Sequence, residues 1–255
     1  MGYIGLDEVA SFLRGHVAEA PLELEGSFEP IAKGNGKTVG AVDSGSGVIW
    51  DAASFIVGAH RSGFRIYEAG KLKEREIGDL EICIAQNQRS LDSIREEDEL
   101  RRTEELAAKL DGILLLDGVL PKIKLGVAIG ISKSSSRSLG TYPLIPSIMR
   151  KGREIYPRRP WCYTGEEGTF ALFHPLSQYL FRLEIEQEDP WILGDLLSYC
   201  NDPIYLGYPF PLALIHNDVV ITYELMADVL YSLQGEEPSL LQMEKFHRRL
   251  DENLW

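Results

Sequence analysis

The chain has 255 residues, of which 44% are hydrophobic and 25% are charged, as is typical of a globular protein rather than a fibrous or disordered one. No apolar run approaches the roughly 20 residues that a membrane-spanning helix needs, and Met1–Gly15 lacks the basic start and apolar centre of a secretory signal. The formal charge of −13 lowers the expectation of nucleic-acid binding, yet residues 121–159 carry nine basic side chains and one acid, so one basic face remains possible.

The three cysteines, Cys83, Cys162 and Cys200, are far apart and form no CxxC pair. This spacing predicts reduced, structural cysteines in a cytoplasmic protein. We expect a single domain over residues 1–255, with an N-terminal helix at about 5–19, a core over about 37–232 and a C-terminal helix at about 238–252.

The first half of the chain predicts a helix, a loop and three strands. Apolar spacing indicates the N-terminal helix, and Gly and Pro residues indicate a loop over Pro21–Asn35. The strand Thr38–Val42 is predicted to end at Asp43 and to give way to a Gly/Ser turn over Ser44–Gly47. Short connections then predict an antiparallel meander. Its further strands are Trp50–Gly58 and Gly63–Ala69.

A long charged helix is predicted over Leu91–Leu110, because this segment has no Gly or Pro and has i,i+4 ion pairs. Glu104 lies at helical spacing from the apolar residues Leu100 and Ala107, so it is predicted to share their stripe. Glu97 shares the stripe as well. Either could instead flank it and be solvated.

Gly112–Leu116 is a continuous apolar run and predicts a buried strand that ends at Asp117. Leu125–Ile131 predicts another strand, and one helix is predicted over Pro211–Leu230. The remaining predicted elements are strands at Thr169–Pro175 and Tyr179–Glu186 and a helix at Pro190–Tyr199. This order of elements predicts an α/β protein with a mixed β-sheet flanked by helices.

Asp43 and Asp117 each end an apolar strand, and two such strands can bring their carboxylates to one edge of a sheet. Carboxylates with one neutral imidazole suit Mg²⁺ or Mn²⁺, and His216 is the candidate imidazole. Each acid could instead be a turn residue that binds its own backbone, and His216 could be a hydrogen-bonded core residue.

Lys133 closes the second apolar strand and opens a Ser-rich segment that also holds Arg137. Hydroxyls and cations of this kind contact phosphates without reading sequence, although a solvated loop would have the same composition. Tyr208 precedes a Pro-Phe-Pro turn eight residues before His216, so its ring could approach the same edge.

The ordered set of motifs resembles the NurA nuclease family over roughly residues 38–222. The segments that carry the resemblance are Val42-Asp43-Ser44-Gly45, a helix with glutamates, Leu115-Leu116-Asp117-Gly118, Ile131-Ser132-Lys133-Ser134 and Tyr208-Pro209-Phe210-Pro211-Leu212 followed by His216.

The resemblance implies an RNase H-like core and a Mn²⁺-dependent (or Mg²⁺-dependent) nuclease. Such an enzyme acts at DNA ends as a 5′-to-3′ exonuclease, with endonuclease activity on single strands, in double-strand-break resection. It implies a homodimer that works with a HerA-type hexameric ATPase. By motif, Asp43, Asp117, His216 and one helix glutamate would be the ligands, with Glu104 preferred and Glu97 as the alternative. Tyr208 would stand beside the scissile phosphate, and Lys133 would contact DNA.

Two other functions are compatible with parts of the sequence. Asp43-Ser44-Gly45-Ser46-Gly47 resembles the phosphate loop of actin-like ATPases and sugar kinases, which would make the protein a phosphotransferase. The chain lacks a late Gly-rich adenosine motif, however, and a phosphate loop needs neither Tyr208 nor His216. A catalytically silent subunit of a DNA-processing complex is the third possibility.

Overall fold

The computed structural model describes residues 7, 11, 24–52, 54–133, 138–139, 142–187 and 191–236. Of the N-terminal helix predicted at about 5–19, only Asp7 and Ser11 are described, and both are helical. The predicted C-terminal helix at about 238–252 lies outside the described residues. Among the described helices, none is long and apolar enough to cross a membrane.

Within the described residues, a ten-stranded mixed sheet has the order β1-β10-β11-β12-β7-β6-β2-β3-β4, with β5 paired to β3. Its strands are β1 Gly26–Pro30, β2 Val39–Asp51, β3 Ile56–Glu68, β4 Lys71–Ile77, β5 Glu81–Ala85, β6 Ile113–Asp117, β7 Ala128–Ser132, β10 Trp161–Gly165, β11 Gly168–Leu172 and β12 Phe181–Ile185. A separate pair consists of β8 Ser138–Leu139 and β9 Tyr142–Pro143.

The helices are α1 Gln88–Lys109, α2 Leu144–Ile155, α3 Ile192–Leu196, α4 Phe210–Val219 and α5 Tyr223–Glu236, with a 3₁₀ turn at Leu197–Tyr199. The helix predicted over 91–110 is confirmed up to Lys109, and the segment predicted as a helix over 190–199 is α-helical over Ile192–Leu196 and continues as the 3₁₀ turn. The single helix predicted over 211–230 is wrong, because residues 220–222 are not helical and divide it into α4 and α5.

The strands β4, β3, β2, β6 and β7 are consecutive in the sheet, with β2 in the middle. The connections β2–β3 and β3–β4 are too short for a parallel crossover, so these strands run antiparallel. The strands β2, β6 and β7 are parallel, and α1 makes the connection between β5 and β6. The predicted mixed sheet flanked by helices is confirmed.

The described chain divides into two units. The first comprises residues 1–42, 64–75 and 103–215, and it contains two apolar clusters. One cluster joins the central strands to the C-terminal half of α1 through Val42, Phe64, Leu106, Leu114 and Leu116. The other packs α2 against β10 and β11 through Ile148, Trp161, Tyr163, Phe170 and Leu172.

The second unit comprises residues 43–63, 76–102 and 216–255. One of its clusters consists of Ile49, Ala59 and Ile221, and Met226 and Val229 of α5 pack against it. Another packs β3 and β5 against the start of α1, through Ile56, Ala85 and Leu91. The prediction of a single domain over residues 1–255 stays a prediction.

Two predicted irregular segments are strands. The loop predicted over Pro21–Asn35 contains β1, which pairs antiparallel with β10 in the register Gly26↔Gly165 to Pro30↔Trp161. The Gly/Ser turn predicted after Asp43 is wrong, because β2 continues without interruption to Asp51. The sequence signal failed because Gly in a strand marks a close approach of other atoms as well as a turn.

The close approach at β2 is made by the end of α4 and by α5. A Cβ at Gly45 would collide with the carbonyl oxygen of Val219, and a Cβ at Gly47 would lie 2.7 Å from Met226 Sδ. The glycines of β2 therefore make room for the helices that cover this part of the sheet.

Candidate metal centre

Asp43 is a buried acid inside β2, with both carboxylate oxygens engaged. Its Oδ1 accepts a hydrogen bond of 2.8 Å from the backbone N–H of Ser44, and its Oδ2 lies 2.8 Å from Nδ1 of His216. A carboxylate that is paired with one ring nitrogen of a histidine fixes the orientation of the ring. The arrangement orients both side chains for binding a common ligand.

The position of His216 is set by the C-terminal end of α4. Arg61 of β3 donates hydrogen bonds to the carbonyl oxygens of Val219 at 3.3 Å and of Val220 at 2.8 Å. These carbonyls end the helix, and a cation there satisfies them and interacts favourably with the helix dipole. Together with the close approach at Gly45, Arg61 holds the last turn of α4 against β2 and β3.

Asp117 is the last residue of β6, and the backbone turns away directly behind it. Gly118 has a φ of 102°, which other residues rarely adopt, and its N–H donates to the carbonyl of Ile131 at 2.9 Å. Glu184 of β12 then accepts a hydrogen bond of 3.1 Å from the N–H of Leu120. Asp117 therefore ends the strand, and hydrogen bonds to Ile131 and Glu184 fix the loop that follows it.

Lys133 and Tyr208 lie beside Asp117. The Nζ of Lys133 is 2.6 Å from Asp117 Oδ2 and 5.0 Å from the centre of the Tyr208 ring. Tyr208 also packs against Phe181 of β12, with ring centres 5.3 Å apart. The structure therefore brings together three residues that the sequence placed at the same site. Arg137 lies outside the described residues.

The helix glutamates differ from the expectation. Glu104 and Glu97 are exposed, so the prediction that they lie on the buried stripe of α1 is wrong. The residues of α1 that are buried are Leu91, Thr103 and Leu106. Leu100, which served as the reference for the stripe, is only partly buried, and this shifts the buried face of the helix.

Glu99 is the glutamate of α1 that lies next to the Asp43 segment. Its Oε2 accepts hydrogen bonds from the hydroxyl of Ser44 and, at 2.9 Å, from Arg95 Nη1. Arg95 also donates to Ser44 Oγ at 2.7 Å. Sequence reasoning missed Glu99, because its link to the site runs through Ser44 of another element and leaves no periodic signal on α1.

Asp43, Asp117 and His216 form a group whose possible ligand atoms all lie within 4.8 Å of one another. Because β2 and β6 are parallel with Val42 opposite Leu116, Asp43 and Asp117 are the next residues of two adjacent strands. The two carboxylates suit Mn²⁺ or Mg²⁺, which prefer oxygen ligands, and the imidazole shifts the preference toward Mn²⁺.

No family model and no curated protein matches this chain in sequence. Among solved structures, the chain is similar to the NurA nuclease from Sulfolobus solfataricus, with a TM-score of 0.60, 17% identity, and coverage of 98% of this chain and 95% of that one. The chain therefore has a NurA-like fold.

Two further structures are more distant. The catalytic domain of human endonuclease V matches with a TM-score of 0.43 and 14% identity, covering 84% of this chain and 96% of that chain. A NurA structure bound to dAMP and manganese matches with a TM-score of 0.48 and 10% identity, covering 86% of this chain and 92% of that chain.

Proposed function

We propose that the protein is a divalent-metal-dependent deoxyribonuclease that hydrolyses phosphodiester bonds at DNA ends. The observation that carries the proposal is the group formed by Asp43, Asp117 and His216, whose donor atoms are close enough to bind one ion. The fold supports it, because the chain is similar in structure over nearly its whole length to a NurA nuclease.

In this proposal, Asp43, Asp117 and His216 hold Mn²⁺ or Mg²⁺, and Glu99 takes the place that the sequence assigned to Glu104. A bound divalent ion polarises a phosphoryl group and lowers the pKa of a coordinated water. The contact between His216 and Asp43 Oδ2 keeps the imidazole oriented.

Lys133 and Tyr208 are the proposed contacts to the DNA strand. Lys133 is half-exposed and directly follows the last residue of β7, so its ammonium can contact a phosphate beside Asp117. Tyr208 contributes its ring face beneath that ammonium. The N–H of Gly118 and the Glu184 contact fix the backbone that follows Asp117, next to the ammonium of Lys133.

The phosphotransferase alternative loses its main support in the structure. A phosphate-binding loop needs a turn whose N–H groups converge on an anion, and residues 43–47 are instead part of a long strand. The nuclease proposal requires only that Asp43 lie at the sheet position next to Asp117. A silent DNA-processing subunit is retained as an outcome of the activity test.

The finer parts of the proposal rest on the family resemblance: 5′-to-3′ exonuclease activity, endonuclease activity on single strands, a homodimer, a HerA-type hexameric ATPase partner and a role in double-strand-break resection and homologous recombination. We also propose a cytoplasmic location, because all three cysteines are free thiols.

The activity test uses end-labelled DNA with the purified protein, with and without Mn²⁺. Asp43→Asn and Asp117→Asn are expected to lose at least about 100-fold of the Mn²⁺-dependent degradation, since removing an outer-shell partner alone commonly costs 10- to 100-fold. Asp111→Asn is the matched control, because Asp111 is an exposed acid in the bend before β6. Degradation at the wild-type rate by either site variant would refute the proposal. ATP turnover without DNA would favour the phosphotransferase. If the protein neither degrades DNA nor turns over ATP, the silent subunit is favoured.

A further inference from the structure

Two basic side chains pair with Asp117 of the candidate centre and with Glu99, the proposed further ligand, which contacts Ser44. Arg95 Nη1 lies 2.9 Å from Glu99 Oε2, and both side chains are about four-fifths buried, with 23% and 21% of their surface exposed. Lys133 Nζ lies 2.6 Å from Asp117 Oδ2. A divalent cation at these carboxylates would therefore be bound next to a side chain of like charge.

The Arg95 contact is more than a helix pair of the ordinary i,i+4 kind. Arg95 Nη1 also donates to Ser44 Oγ, whose hydroxyl in turn contacts Glu99. Ser44 directly follows Asp43 and donates its N–H to that carboxylate. The guanidinium of Arg95 therefore contacts the residue that directly follows Asp43, the candidate ligand of β2.

The side chains of Arg95 and Lys133 both suit a phosphate when a metal ion also binds the carboxylate with which each is paired. The guanidinium of Arg95 offers a planar fork of donors that matches a phosphate, and the flexible stem of Lys133 allows its ammonium to move. Lys133 is 49% exposed and already lies over the Tyr208 ring, so a polyanion can reach it from solvent.

We propose that Arg95 and Lys133 are built-in counter-ions of the metal centre, and that exchanging them for a divalent ion couples metal binding to DNA binding. The proposal rests on the function proposed above. While Arg95 and Lys133 pair with Glu99 and Asp117, their positive charges weaken the binding of a divalent ion, and both side chains are less available to phosphate. Metal binding weakens these pairs and increases the contribution of Arg95 and Lys133 to DNA affinity. By linkage, DNA must then strengthen metal binding by the same factor.

The first measurement is the affinity for Mn²⁺ in the absence of DNA, determined by calorimetry. Arg95→Met and Lys133→Met remove the charge and keep a similar stem, so each is expected to bind Mn²⁺ roughly threefold to tenfold more tightly than wild type. Arg95→Gln and Lys133→Gln serve as second variants, and thermal unfolding reports which of them are folded. Lys124→Met, an exposed lysine of the same basic segment, is the matched control and should leave the affinity unchanged. Unchanged or weaker Mn²⁺ binding in either folded charge variant would overturn the proposal.

The second measurement is the affinity for a fluorescent oligothymidine with and without Ca²⁺, with gel analysis confirming that the strand stays intact. Wild type is expected to gain more DNA affinity from the divalent ion than Lys133→Met does. An equal gain in the two proteins would mean that Lys133 carries no coupling.

These results separate the two proposals. If wild type binds no Mn²⁺, or if Asp43→Asn binds it equally well, the proposed function fails. If wild type binds Mn²⁺ through Asp43 but the charge variants match it, the metal centre stands and the counter-ion proposal fails.

Discussion

At the scale of single residues, the environment of Glu99 shows how a candidate ligand is held. Glu99 has no unusual place in the sequence of α1, which is rich in acids between Asp92 and Glu105. What distinguishes it is the hydroxyl of Ser44 and the guanidinium of Arg95, both directed at the same carboxylate oxygen. A carboxylate held by two donors in a partly buried place is oriented, whereas Glu97 and Glu104 point into solvent.

Glu99→Gln is therefore expected to reduce the Mn²⁺-dependent degradation of DNA by at least about tenfold, because the amide replaces an anionic ligand with a neutral group. Glu104→Gln and Glu97→Gln are matched controls on the same helix and should keep wild-type rates. The initial rate of release of labelled nucleotide checks this. A loss of activity in Glu104→Gln with normal activity in Glu99→Gln would restore the sequence-based assignment.

Asp98 is a second acid of α1 with a defined environment. Burial raises its pKa, but hydrogen bonds from Ser62 and Arg101 and the nearby charges of Arg101 and His60 outweigh burial, so the pKa is lowered from its ordinary value of 3.8. A carboxyl with a lowered pKa in the folded state stabilises the fold above its unfolded pKa. This contribution is lost as the pH falls through the folded value.

Asp98→Asn should accordingly lower the free energy of unfolding at pH 7 and at pH 5, with the difference from wild type shrinking as the pH falls below 3.8. Urea unfolding at a series of pH values measures this difference. A destabilisation that stays constant from pH 7 down to pH 2.5 would show that shape rather than charge is what Asp98 contributes.

At the scale of secondary-structure elements, β2 is the element on which the site depends. Its inner half pairs in parallel with β6 and its glycines admit the end of α4. The same strand therefore carries Asp43 and makes space for the helix that carries His216. The requirement for small residues at positions 45 and 47 is steric, because the atoms of α4 and α5 occupy the volume that a side chain would need.

Gly45→Ala is expected to destabilise the protein by about 1–3 kcal/mol, as overpacking of a rigid backbone contact commonly does. Gly235→Ala is the matched control, since a Cβ there meets no atom within 4 Å and the residue lies in α5. In that helix, alanine should instead stabilise by about 0.5–1 kcal/mol. Chemical denaturation of both variants measures whether the free energy of unfolding falls in Gly45→Ala and rises in Gly235→Ala. Equal effects would contradict the close approach at Gly45.

At the scale of the whole molecule, charge is distributed unevenly. The chain carries −13 overall, yet the nine basic residues of 121–159 include Lys133 beside the candidate centre and the arginines of α2. Such a distribution allows a polyanion to bind locally while the rest of the surface repels it. Binding must then depend strongly on salt, because each phosphate contact releases counter-ions.

Lys133→Ala should weaken oligonucleotide binding in the presence of Ca²⁺ and reduce the slope of log affinity against log salt by about 1. Fluorescence anisotropy across a salt series gives both quantities. An unchanged slope would remove Lys133 from the DNA contact surface.

Much of the arrangement could be predicted from local patterns. The apolar runs before Asp43 and Asp117 predicted two strands, and the charged segment before Gly112 predicted α1. What could not be predicted depends on contacts between distant segments. Residues 44–47 read as a turn because the α4 end that needs their glycines lies about 170 positions later in the chain. Glu99 was missed for the same reason, since its partner Ser44 lies on another element.

Anomalous diffraction from crystals soaked in Mn²⁺ tests the central claim most directly. One strong anomalous peak is expected within roughly 2–2.5 Å of carboxylate oxygens from Asp43 and Asp117, with His216 as a further ligand, and this peak should be lost in Asp117→Asn. A peak held by other residues, or no peak at these carboxylates at a Mn²⁺ concentration that supports DNA degradation, would contradict it.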